Sequence, residues 1–446
     1  MLLLNQFFHP SSAPTSQLLT DLALHLADEG HRVTAICGRS EYNTANSTPL
    51  PNITVHRIPN LPFGHNKVTR ILSYGSFYLG ALAVALTTRK PQVIVTLTTP
   101  PLLSVIGTLI KKIRNTPHFI WEMDVYPDIA IELGVLSPRG PLTRIIGALA
   151  NWSRRNADGI IALGDDMRDL LIARGIPAAK ISVAENWADS AEIAPQPFPE
   201  GPLHLLYSGN LGLAHDIETL QGAMLALNKA GRFHFTFAGG GPRRKSLESF
   251  ALGHKLSNIF FRGYCPRSEL SQTLAQCHVG VVTQHPRVHG SVVPSKVYSI
   301  LAAGRPIVYI GQVDTTPARI IRRFDCGWQI DPGDVDGLVG VLQRLEANRW
   351  LVHSAGQRAR QAFLENYDRE IGVRRIAAIV SPSRPGTTPS WLRRPQPSAS
   401  LSDSSGANYV PHSAYRDEAI TASQSPTCHT EDSSGPGIAF ENTKVT

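Results

Sequence analysis

Short apolar runs that read as β-strands alternate with helix-patterned segments along most of this chain. The alternation comes in two series, parted by the proline-rich stretch DSAEIAPQPFPEG at Asp189–Gly201. In the first series, strands are expected at Leu2–Phe8, Arg32–Cys37, Ile53–Ile58, Val93–Leu97, His118–Glu122, Gly159–Ala162 and Lys180–Ala184. Between the first two, Ser16–Glu29 carries Leu18, Leu19, Leu22, Ala23 and Leu26 on one helical stripe, and Gly30 closes it. The second series places strands at Leu203–Ser208, Phe233–Ala238, Ile259–Arg262, Val279–Thr283, Pro306–Ile310 and Trp328–Ile330. Strands that recur with helices between them pair in parallel, with helices on both faces of the sheet. The expected fold class is therefore α/β: two doubly wound Rossmann-like domains facing a cleft, with ligands at the carboxyl ends of the strands.

The expected boundaries are 1–190 for the first domain, 191–201 for the linker and 202–350 for the second domain. Residues 351–380 read as C-terminal helices able to return to the first domain. From Ser381 to Thr446 the text is rich in Ser, Thr, Pro and Gly without an apolar period, which is the composition of a disordered tail. That tail holds five basic and six acidic residues, so the chain's formal charge of +8 rests on the folded part. A basic surface suits anionic partners. No zinc-ligand spacing or aromatic-interleaved basic motif points to nucleic acid, leaving small-molecule or lipid phosphates as the expected partners.

The cysteines Cys37, Cys265, Cys277, Cys326 and Cys428 lack paired spacing, which suits a reducing compartment. The opening MLLLNQFFHP has neither the basic region nor the apolar length of a signal peptide. A cytoplasmic location is expected, at the inner face of the membrane if a surface contact forms. Two uncharged runs bear on that contact, Ile71–Thr88 and Pro91–Ile110. Pro100 and Pro101 interrupt the second, and glycines, serines and threonines dilute the first, so neither reads as a membrane span. Lys67 and Arg70 before the first, with Lys111, Lys112 and Arg114 after the second, form the basic rim of a peripheral membrane contact.

Chemistry gathers in the second series. Pro294, Ser295 and Lys296 form a turn ahead of an apolar helix expected over Val297–Ala303, followed by Gly304-Arg305-Pro306. Backbone amides, a hydroxyl and an ammonium at a helix start suit a phosphate or diphosphate. Ser208-Gly209-Asn210-Leu211-Gly212 follows one strand, and Gly239-Gly240-Gly241-Pro242 follows the next, with Arg243, Arg244 and Lys245 behind it. All three segments fall on one edge of one sheet. In the first series His9, Asp124 and Asp128 sit at strand ends or loops toward the cleft, and Ser12 and Thr15 stand near the first helix start. Asp124 could orient an acceptor hydroxyl or take its proton, or cap the next turn.

Taken in order, FFHPSSAPTSQLLTDLALHLADEGHRVTAI, WEMDVYPDIAIELGVL, ISVAENWAD, LLYSGNLG, AGGGP and PSKVYSILAAGRPI resemble the family-4 glycosyltransferases of the GT-B fold over about residues 1–370. The likeness is specifically to the bacterial surface-polysaccharide subgroup typified by N-acetylfucosamine transferases. The resemblance implies transfer of a sugar from a nucleotide-sugar, UDP-linked, to a glycan or polyprenyl-linked acceptor, with retention at the anomeric carbon. It implies no required metal and no further cofactor. It places the donor in the second domain and the acceptor in the first, on the side of His9, Ser12, Thr15 and Asp128. Pro294, Ser295 and Lys296 would hold the diphosphate, and Ser208, Gly209, Asn210 and Gly212 would face it. Base and ribose would lie near Gly239–Pro242, with Gly240 and Gly241 among them, and near the loop Gly263–Arg267. Arg243 or Arg244 is the second choice after Lys296 for the cation facing the diphosphate. Lys296 and Asp124 are the catalytic candidates.

One departure stands out. Where many members of the family carry two glutamates eight positions apart, this chain has Ser291 and Ser299. A hydroxyl still hydrogen-bonds a sugar but gives up the charge-assisted bond. Two other readings stay open: a non-catalytic scaffold with the same fold, and a sugar-nucleotide epimerase, which would need acidic and His residues around the donor sugar.

Overall fold

The structure, a computed structural model, describes residues 1–39, 49–59, 67–228 and 231–381, with side chains left out over 67–71. The tail reading beyond Ser381 and the side chains of Lys67 and Arg70 lie outside the described residues.

Thirteen strands are described: β1 (Leu2–Leu4), β2 (Val33–Gly38), β3 (Ile53–Ile58), β4 (Ile94–Leu97), β5 (His118–Trp121), β6 (Gly159–Ala162), β7 (Ile181–Val183), β8 (Leu203–Ser208), β9 (Phe233–Ala238), β10 (Ile259–Arg262), β11 (Val279–Thr283), β12 (Ile307–Ile310) and β13 (Gly327–Ile330). They form a seven-stranded sheet in the order β3-β2-β1-β4-β5-β6-β7 and a six-stranded sheet in the order β10-β9-β8-β11-β12-β13. Every ladder is parallel; Leu3 pairs with both Ala35 and Val95, and Val281 pairs with Val308. Central strands such as β4, β11 and β12 are buried along their whole length, because helices cover both faces and no side chain can face water. The order reverses beside β1 in one sheet and beside β8 in the other. Crevices therefore open at the carboxyl ends of those strands. The architecture is the GT-B arrangement of two doubly wound halves.

Element ends shift slightly from expectation. The first helix runs Pro14–Asp28 rather than Ser16–Glu29, because Pro14 supplies a preset φ where no backbone N–H is needed. The helix after the Pro294 turn is the seven-residue Lys296–Ala302, with Ala303 as its C-cap.

The chain crosses between halves twice. It leaves the first half at Ala188, and helix Arg349–Asn366 packs Ala359 and Phe363 into the second-half core. It then returns, so that helix Arg369–Val380 places Val373, Ile376, Ala377 and Val380 in the first-half core. The two crossings lie side by side: Ala188 bridges Asp368, and Ser190 donates from N and Oγ to the Asp368 carboxylate at 3.0 and 2.6 Å. Trp187 stacks on Trp121 at 5.6 Å and donates from Nε1 to Asp21 at 2.9 Å. Gly372 makes that packing possible, since a Cβ there would lie 2.3 Å from the Trp187 ring.

Candidate active site

Three segments meet at the carboxyl edge of the second sheet. The turn after β8 begins with Gly209, whose N–H donates to Ala238 O at 2.8 Å, while Leu211 N–H donates to Gly240 O at 2.7 Å. These bonds zip the β8 and β9 turns together backbone to backbone. Gly239 is obligatory there: its φ is +136°, and a Cβ would fall 2.1 Å from Gly209 O. Lys296, at the start of its helix, then reaches over the β8 turn. Its Nζ lies 2.5 Å from Tyr207 Oη and 3.8 Å from the centre of that ring, and a Cβ on Gly209 would be 3.7 Å from it.

Lys296 makes no ion pair with a carboxylate among the described residues. Burial alone pushes its ammonium down to about 7. His215 completes the enclosure. Its ring meets Tyr207 edge-on at 5.6 Å, its Nδ1 pairs with Thr283 O at 2.8 Å, and burial together with the Lys296 charge holds it down to about 3. The imidazole is thus neutral, and Lys296 is the cationic group beside the glycine turns. Sequence reading missed Tyr207 as a wall and His215 altogether; the proximity of His215 to the LYSGNLG turn was the available signal.

The other donor-side candidates divide by their partners. Ser208, Gly212 and Gly240 are half-buried along the zipped turns, with Gly241 beside them, and Asn210 and Ser295 are exposed. Pro294 is half-buried ahead of Lys296. Arg243 is already occupied, donating to the Glu218 carboxylate and to His215 O at 3.0 Å. Arg244 pairs with Glu248 at 2.6 Å. Ser299 donates within its own helix to Lys296 O at 3.0 Å. Ser291 is wholly buried and donates to Glu132 at 2.5 Å, with Val288 O 3.1 Å from the same hydroxyl. It is therefore enclosed between the halves rather than open to a sugar, and the carboxylate beside it comes from the first half.

The first half meets this loop directly. Val125 N–H donates to Ser291 O at 2.9 Å, and Asp124 bridges Val292. Asp124 N–H donates to Thr98 Oγ1 at 3.1 Å, which fixes the turn after β5. Burial, and then the nearby Glu122, raise the Asp124 carboxyl to about 6. Asp128, expected to face the cleft, is instead buried and ion-paired with Arg174. The pairing partner caps the C-terminus of helix Asp165–Ala173, distant in sequence, so local text could not reveal it. His9 is half-buried, with its carbonyl accepting from Arg57 at 2.8 Å and its imidazole shifted down by burial and by Arg57. Ser12 is exposed, and Thr15 Oγ1 accepts from Asn5 Nδ2 at 3.4 Å. Ala13, not a serine, occupies the helix N-cap.

A groove of about 600 Å³ lined by Pro195, Phe198, Gly304, Arg305 and Arg360 lies at the far end of helix Lys296–Ala302. None of the glycine turns borders it, so it is separate from the Lys296 site.

Comparison with known proteins agrees with this fold. Residues 16–187 match the family model described as "Glycosyl transferase 4-like domain", and residues 189–362 match "Glycosyl transferases group 1". The "Probable glycosyltransferase WbjE" of Pseudomonas aeruginosa is 27% identical over 335 residues, 72% of this chain and 83% of its own. WcaI of Escherichia coli K12, named for colanic acid biosynthesis, is 24% identical over 312 residues, 66% of this chain and 76% of its own. Among solved structures, HepE of Anabaena in complex with UDP-glucose superposes with a TM-score of 0.62 at 16% identity, covering 85% of this chain and 98% of its own. With two family models spanning both halves and the fold they predict, the chain belongs to the family-4 glycosyltransferases of the GT-B fold.

Proposed function

We propose that this glycosyltransferase moves a sugar from a UDP-linked donor, with retention at the anomeric carbon and without a required metal, onto a glycan or polyprenyl-linked acceptor in surface-polysaccharide synthesis. The observation that carries the reading is Lys296: a half-buried cation with no carboxylate partner among the described residues, set against two glycine turns. An anion bound beside it would offset the cost of its partial desolvation and hold it protonated. A departing nucleoside diphosphate gathers negative charge in the transition state, so a fixed cation beside it lowers the barrier. Asp124 comes from the other half, where its backbone bridges Val292. Its raised carboxyl ionises near neutral pH, suited to orienting an acceptor hydroxyl and taking its proton.

HepE, on the same fold, is described with UDP-glucose, and WcaI is named for colanic acid biosynthesis; both support the donor class and the polysaccharide setting. The retaining outcome and metal independence rest on family resemblance. The test is a thermal-shift panel of nucleoside diphosphates and nucleotide-sugars, followed by a donor-hydrolysis assay on each hit. A shift with UDP and UDP-sugars, with slow hydrolysis, is the expected result. No shift with any nucleotide would leave a non-catalytic scaffold on this fold as the better reading.

A further inference from the structure

Helix Pro141–Asn156, on the outer layer of the first half, is amphipathic in the wrong sense for a protein surface. Its buried residues include Thr143, Ser153 and Arg154, the last held in a bidentate pair with Glu122. Its outward stripe is Leu142, Ile145 and Leu149, exposed by 54%, 58% and 39%, with the half-buried Trp152 continuing it. The spacings of three, four and three residues put all four on one face. A surface helix ordinarily shows the reverse arrangement.

Charge flanks the stripe and is of one sign. No Asp or Glu occurs from Leu133 to Ala157, whereas Arg139, Arg144 and Arg155 are exposed there. Lys112, from the neighbouring helix Leu103–Arg114, sits 5.6 Å above the Trp152 ring. Among the described residues these four cations form no ion pair. By contrast Lys111 is tied to Asp158 at 2.7 Å, and Arg114 donates to Leu86 O and Thr88 O. Of the three cations expected to rim that region, only Lys112 remains available.

We propose that this face docks on an anionic lipid surface, with Leu142, Ile145 and Leu149 entering the headgroup boundary and Lys112, Arg139, Arg144 and Arg155 meeting lipid phosphates. Apolar side chains rimmed by unpaired cations are the recognition chemistry of that surface. A second copy of the chain fits less well, because a twofold contact sets this cationic patch against itself. Among the described residues no helix is long and apolar enough to cross a membrane, so attachment through this face is by adsorption. The docking does not depend on the transferase reading. Where that reading holds, the surface lies one helix from the acceptor side, since Gly147 packs against Pro127, three residues after Asp124.

The test is flotation of the full chain with vesicles of phosphatidylcholine alone and of phosphatidylcholine mixed with phosphatidylglycerol, without nucleotide. Wild type should float only with the anionic vesicles. The variant L142Q/I145Q/L149Q should bind at least about tenfold more weakly, and R144Q and R155Q about fivefold each. Each variant should keep the wild-type circular dichroism and melting midpoint. Failure of the wild type to float overturns the proposal, as does equal flotation of wild type and variants, which would place attachment elsewhere on the chain. A wild-type dimer in sedimentation that the triple variant dissolves, with no flotation, would assign the face to a second copy.

Discussion

The two halves are built on the same doubly wound plan, yet they treat charge in opposite ways. In the first half, the EMDVYPD turn sends Glu122 to Arg154 at 2.5 Å and Asp128 to Arg174, so two of its three carboxylates are matched. In the second half, Lys296 is half-buried beneath the Tyr207 ring and, among the described residues, pairs with no charged group. Charge that is buried and paired holds a turn in place. Charge that is buried and unpaired reserves a site for something that arrives. Asp124 resembles Lys296 rather than its own neighbours, and it bridges Val292, four residues ahead of Lys296.

The comparison breaks first where pairing is structural. Arg154→Leu strands the Glu122 carboxylate in the core and should cost about 3–5 kcal/mol of stability in denaturant unfolding, with nucleotide affinity unchanged at temperatures where the variant is folded. If the loss is below about 1 kcal/mol, the pair is not what anchors this turn. Lys296→Ala should do the converse, lowering kcat by about 100- to 1,000-fold while leaving the unfolding midpoint unchanged or raised, because a desolvated cation has been removed. A large fall in stability with little change in rate would make Lys296 a structural residue.

The smallest effect is in the pH profile. In the free protein Asp124 is ionised above about 6 and Lys296 is protonated below about 7. The required pair of states is then most abundant between the two values. kcat/KM should fall about tenfold per unit on either side, as free-enzyme groups dictate. Lys296→Arg should remove the alkaline limb, because a guanidinium does not deprotonate in this range. Persistence of that limb would assign it to another group.

How much of this was legible beforehand depends on the range of the forces involved. Strands β4, β11 and β12 could be read directly, since burial on both faces writes itself as an unbroken apolar run. Lys296 was legible because its turn and helix are adjacent in sequence. The partners of Asp128 and Ser291 were not: Arg174 and Glu132 reach them from remote elements, and nothing near either residue encodes the encounter. His215 was partly legible, since it follows the LYSGNLG turn that carries Tyr207, but the approach of Lys296 from a distant helix was not. The inversion of helix Pro141–Asn156 escaped too, because a periodic stripe tells which residues share a face but not whether that face points in or out.

The paired crossings at Ala188 and Asp368 also constrain motion. One linker would let the halves twist freely about it, like a ball joint. Two linkers, bridged to each other and anchored by Trp187 on one side and the Asp368 carboxylate on the other, behave like the two pins of a door. Twisting one crossing against the other would break the Ala188–Asp368 bridge and both bonds from Ser190 to the Asp368 carboxylate, so the pair resists a rotation that one linker would allow.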